Sequence, residues 1–74
     1  MLVKFEVYKD GRCWGARALG HSIFTQGKTL DELYKNIKEA SHLHFEEEVE
    51  KGENLQILIL ADAEVRGGRK IAAG

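Results

Sequence analysis

Thr29-Leu30-Asp31-Glu32-Leu33-Tyr34-Lys35-Asn36-Ile37-Lys38-Glu39-Ala40, continuing to about Glu50, is the one long helical pattern in this chain. Thr29 is a good N-cap and Glu32 stands three residues later, the spacing of a capping box. Asp31 and Glu32 put negative charge in the first turn, where the helix dipole favours it. Leu30, Leu33, Tyr34, Ile37, Ser41, His44 and Phe45 fall on one helical face. Lys35, Lys38, Glu39, His42, Glu46 and Glu50 fall on the other. Gly52 then supplies a C-terminal stop. Such an amphipathic helix needs an apolar surface to lie on.

That surface is read from the runs on either side. Leu2 to Tyr8 alternates, with Val3, Phe5 and Val7 on one face and Lys4 and Glu6 on the other, as in a half-buried strand. Asp10-Gly11 is a hairpin signal, since a type I′ turn needs positive φ at both central residues. Cys13 to Leu19 is a second strand, whose small residues let a helix approach closely. Gly20-His21 is a turn and Ser22 to Gln26 a third short strand. Leu55 to Leu60 is a fourth strand, apolar at nearly every position, so it is buried on both faces or lies in a contact.

The expected fold is therefore α+β: strand-strand-strand-helix-strand in two layers, with one helix over one face of a four-stranded mixed sheet. One helix covers only one face. The other would carry Leu2, Tyr8, and Leu58 with Leu60, or their alternates, which predicts association, as a homodimer or a larger homo-oligomer. Leu43 points the same way, because it falls on the polar side of the helix, about 140° from the centre of the apolar stripe.

Composition narrows the function classes. The chain has 74 residues, one cysteine, no proline and a net charge of −1. The length suits one small domain, read as residues 1–60 followed by a flexible basic tail at 61–74 that holds Arg66, Arg69 and Lys70. A single cysteine excludes an internal disulfide and fits a reducing, cytoplasmic setting. The charged start, Met1-Leu2-Val3-Lys4-Phe5-Glu6, does not read as a signal peptide, and no run approaches the roughly 20 apolar residues that span a bilayer. Near-zero charge argues against nucleic-acid binding by charge alone.

The ordered combination of these segments resembles one family. Phe24-Thr25-Gln26-Gly27-Lys28-Thr29-Leu30-Asp31-Glu32-Leu33 is similar to the F-S-Q-G-D-T-L-E-E-A segment of HicB-like antitoxins. Asn36, Glu39 and Ala40 fall where that family has its helical N…E-A, and Asp10-Gly11-Arg12-Cys13-Trp14-Gly15-Ala16-Arg17 resembles its D-G-x-x-x-A-x hairpin. The likeness runs over roughly Met1 to Leu60. It implies a partial RNase H-like sheet with strand order 3-2-1-4. It also implies a role in a prokaryotic toxin–antitoxin system, in which the protein blocks a HicA-type toxin, a small ribonuclease that cleaves mRNA. The chain departs from the family in having Leu19-Gly20-His21 where L-P-G is usual. It also ends soon after the fourth strand, so the C-terminal DNA-binding domain of many members, and the operator binding it performs, are not expected.

No catalytic, cofactor or metal site is expected. RNase H chemistry needs clustered strand carboxylates to hold magnesium, and Glu6 is the only one in the first three strands. His42 and His44 point about 200° apart on a helix and do not share an ion. The pairs His42 with Glu46 and His44 with Glu48 have a usable spacing, but ordinary helix-surface contacts account for them, and His44 is read as a partly buried polar residue. Cys13 beside Trp14 lacks a base and an orienting group. The acidic run Glu46-Glu47-Glu48-Val49-Glu50 reads as a solvated helix end whose charge opposes the dipole at a C-terminus. Its functional reading is attraction for a basic partner such as an RNA-binding toxin. The candidate partner-binding residues are Leu43, Glu46, Glu47, Glu50, Leu58 and Leu60. The competing expectations are an orphan homo-oligomer of structural or regulatory role with no toxin, and a small-molecule sensor between two sheets using Trp14 and Tyr8.

Overall fold

The computed structural model describes residues 1–62 together with 67 and 68. Arg66, Arg69 and Lys70 of the expected basic tail lie outside the described residues. The elements are β1 (Leu2–Asp10), β2 (Cys13–Ala18), β3 (Phe24–Gly27), α1 (Leu30–His44), α2 (Glu46–Glu50) and β4 (Gln56–Ala61). The strands form one sheet in the order β3-β2-β1-β4. β1 pairs antiparallel with β2 and parallel with β4, and β2 pairs antiparallel with β3. This is the α+β mixed sheet expected, in the strand order that the family likeness implies.

The core lies between α1 and one face of the sheet. Val3, Phe5 and Val7 from β1, Ala16 and Ala18 from β2, and Leu33, Ile37 and Phe45 from the helical segment are buried together with Ile23. Ile57 and Ile59 of β4 are half-buried against them. α1 lies closest to β3 and β2. The two alanines make room for it, and Gly27 makes more: a Cβ there would meet the Leu33 backbone nitrogen at 2.6 Å. Gly15 serves the opposite face, where the Tyr8 ring occupies the place of its missing side chain.

The β1–β2 turn differs from the expected one. Asp10 pairs with Cys13, so Gly11 and Arg12 are the central residues. Gly11 has φ +60° and Arg12 is not positive. That sign pattern, with glycine first, is the II′ arrangement and not I′.

The helix begins as its sequence implies. Thr29 Oγ1 accepts from the Glu32 N–H at 3.1 Å. Glu32 Oε1, however, accepts from the Lys28 N–H at 3.2 Å rather than from Thr29. The carboxylate therefore satisfies the donor one residue before the cap. Asn36 adds a tie to the sheet by donating from Nδ2 to the Gln26 carbonyl at 2.8 Å.

The expected single helix to Glu50 is broken at Phe45, whose φ of −109° and ψ of 34° leave the helical region. Leu33, Ile37, Ser41 and Phe45 of the apolar face are buried, while Leu30 and His44 at its ends are exposed. Phe45 turns its ring into the core, with His21 at 5.0 Å and His44 at 4.8 Å edge-on to it. The break lets the last core side chain of the helix pack while the acidic residues after it continue in α2. Gly52, with φ +88°, ends α2 as expected. The Glu53 N–H donates to the Glu48 carbonyl at 3.0 Å and the Gly52 N–H to the Val49 carbonyl at 3.0 Å, completing a Schellman motif.

Candidate partner-binding surfaces

The six candidate residues divide between two surfaces on opposite sides of the sheet. Side chains on a strand alternate between faces, and paired residues on neighbouring strands share a face. Ile57 pairs with buried Val3 and Ile59 with buried Phe5, so both face the helix. Leu58 pairs with Lys4 and Leu60 with Glu6, so both lie on the uncovered face. Leu43 and the acidic residues stand at the far end of α1 and on α2.

The first surface is the helix end. Leu43 is 70% exposed, the most exposed large apolar side chain among the described residues. It lies on an open, shallow surface with Lys38, Glu39 and His42. Glu46, Glu47 and Glu50 follow on α2, all exposed. The break at Phe45 changes their electrostatics. Glu46, Glu47 and Glu48 occupy the first turn of α2, not the last turns of one long helix. Acidic residues suit an N-terminal turn, which offsets part of the expected conflict with the C-terminal end of α1.

The second surface is the open face of the sheet. Phe24, Arg17, Glu6 and Leu60 are consecutive register partners and form one row straight across all four strands. Arg17 Nη2 and Glu6 Oε1 are paired at 2.9 Å in the middle of that row, with side chains 62% and 45% exposed. On one side of the row lie Tyr8 over Gly15 and Gln26. On the other lie Lys4 with Leu58, then Leu2 with Gln56. Leu2, Leu19, Phe24, Leu58 and Leu60 are all exposed. Of the two expectations for β4, burial on both faces does not hold within a single chain, since β4 is an edge strand whose outer face is open; a contact with another molecule is the expectation that stays open. Phe24 and Arg17 were not among the candidates. The alternation in each strand was readable, but nothing in the sequence states which residue of β3 stands opposite which residue of β2.

The other readings fare unevenly. Tyr8 lies on the open face, whereas Trp14 pairs with Lys9 on the helix side and packs at the core margin, with the Lys9 Nζ 4.4 Å from its ring centre. The two aromatics therefore do not line one pocket between sheets. His44 is exposed, not partly buried. It stands 6.0 Å from His21, a residue distant in sequence that the fold brings close. Among the described residues, no three His, Cys, Asp or Glu side chains converge in the manner of a metal site. Among them, too, no helix is long and apolar enough to cross a membrane.

No family profile matches the chain, and no solved structure matches it. A UPF0150 protein from Archaeoglobus fulgidus is 62% identical over 45 residues, a match that covers 61% of this chain and 68% of the relative. At that identity and coverage, the chain belongs to the UPF0150 family.

Proposed function

We propose that this chain is a non-catalytic, HicB-like antitoxin-type protein that acts in the cytoplasm by binding and sterically blocking a small, basic, mRNA-cleaving toxin of the HicA type. The likeness of Phe24 to Leu33 to the antitoxin segment supports this reading, as does the strand order. The relative's name states no activity, so the functional weight falls on the surface. The observation that carries it is Leu43, 70% exposed and followed within a few residues by exposed Glu46, Glu47 and Glu50. An apolar anchor beside a patch of one charge sign suits a partner of the opposite sign, which the charges steer and the leucine holds. A ribonuclease must be basic where it grips RNA, so this end of the molecule competes for the surface that RNA uses.

The test is RNA cleavage by a HicA-type toxin encoded beside this gene, with this protein added in increasing amount. The reading expects cleavage to stop near equimolar protein, and Leu43→Asp to weaken that block. Cleavage that continues at a large excess of folded protein contradicts it. The second reading, an orphan homo-oligomer, is favoured by the open sheet face and does not need the helix end.

A further inference from the structure

We infer that the open sheet face is a homodimer interface, in which a second copy packs face to face about a twofold axis running along the strands between β1 and β2. This goes beyond the antitoxin reading and stands without it. The inference comes from the row Phe24, Arg17, Glu6, Leu60. Read across the sheet, the row is apolar, positive, negative, apolar. Rotation about an axis through its midpoint reverses it, giving apolar, negative, positive, apolar. Each Glu6 then lies over the other copy's Arg17, and each Leu60 over the other copy's Phe24. A twofold contact is isologous, so the surface must complement itself, and this row does.

The charges also reject a cross-strand axis through this row. Such an axis keeps each strand over its own counterpart and would set Glu6 over Glu6 and Arg17 over Arg17, and like charges brought together out of water are strongly unfavourable. The adjoining residues fit the strand-parallel axis. Leu19 continues the β2 alternation beside Lys4, its N–H donating to the Lys4 carbonyl at 2.8 Å. Reversal therefore lays the aliphatic stem of Lys4 on the other copy's Leu19. Leu2, Leu19, Phe24, Leu58 and Leu60 are between 42% and 60% exposed in the single chain, and a monomer rarely leaves so many large apolar groups on one face.

Size agrees. Four strands spaced about 4.8 Å apart, and about six residues long at about 3.3 Å each, give a face of roughly 19 by 20 Å. Two such faces with their side-chain relief remove about 1,000 Å² from water, the lower end for a specific contact. Packed at the usual sheet-to-sheet spacing of about 10 Å, the dimer has four layers, with the helices outside. The helix end at Leu43 remains free.

The experiment is mass by light scattering on the full chain, with circular dichroism to confirm folding. The wild type is expected at twice its 8.3 kDa chain mass. Glu6→Arg makes the centre of the face wholly positive and Arg17→Glu makes it wholly negative. Each variant alone is expected at the single-chain mass, and their equimolar mixture at twice that mass, because the all-positive face now meets the all-negative one. A monomeric wild type overturns the inference. So does a dimer that both single variants leave intact, which places the contact elsewhere, such as at the free edge of β3 or β4. Monomeric variants that stay monomeric on mixing also overturn it.

Discussion

Arg17 and Glu6 pair at 2.9 Å across β2 and β1 at the centre of the uncovered sheet face, with Phe24 and Leu60 at the two ends of the same row. In a lone chain the pair is wet on one side. An ion pair so exposed contributes about 1 kcal/mol or less. Arg17→Ala should therefore lower monomer stability by no more than that in urea unfolding at high dilution. At high protein concentration the same substitution should cost more, because it also removes the contact between copies. Equal losses at both concentrations would separate the pair from association.

Gly27 and Gly15 make a matched test of close packing. Alanine at Gly27 meets the Leu33 backbone nitrogen at 2.6 Å, which cannot move without shifting the start of α1. Alanine at Gly15 meets the outer end of the Tyr8 ring, a side chain that can turn without moving backbone. Gly27→Ala should cost about 1–3 kcal/mol by overpacking, and Gly15→Ala clearly less. Thermal unfolding of the two variants side by side checks the order.

Thr29 and Asn36 fasten α1 at separate points. Thr29→Ala removes the acceptor for the Glu32 N–H and should cost about 1 kcal/mol. Asn36→Ala removes the donor to the Gln26 carbonyl and should cost about 1 kcal/mol as well. The two bonds share no partner, so the double variant should lose close to the sum. A double-variant loss far from that sum would show that the helix start and β3 move together.

Leu33 and Leu43 point about 80° apart around α1 and differ sharply in burial. Leu33 is fully buried and Leu43 is 70% exposed. Leu33→Ala should cost about 2–5 kcal/mol, while Leu43→Ala should stay within about 0.5 kcal/mol in stability. A loss of partner binding without a loss of stability in Leu43→Ala would assign that leucine to recognition.

Much of the fold was legible because its signals are local. The alternation of Leu2 to Tyr8 and the Thr29 cap with its amphipathic stripe each state one element, and the family likeness orders them. What was not legible depends on contacts between distant residues. Phe45 fits the helical stripe and no glycine or proline marks a break there, so the change of direction that carries Glu46 to Glu48 into a new first turn was invisible. The alternation of β4 allowed Leu58 and Leu60 to face either side until their register with Lys4 and Glu6 was known. Arg17 carried no signal beyond its place in the hairpin segment until its pairing placed it between Phe24 and Glu6. The approach of His21 to His44 has no sequence signal at all.

The acidic helix end should act on the rate of encounter. Glu46→Lys, Glu47→Lys and Glu50→Lys combined should slow association with a basic toxin by about tenfold or more at low salt, and the difference should shrink as salt rises. An unchanged rate at low salt would remove these residues from the binding surface.

The most direct measurement is the mass, by light scattering, of this protein mixed with the small basic protein encoded beside its gene. Binding of the proposed kind predicts a new complex containing both chains, and its loss with Leu43→Asp while the protein remains folded. Two species that keep their separate masses at micromolar concentration would contradict the antitoxin account.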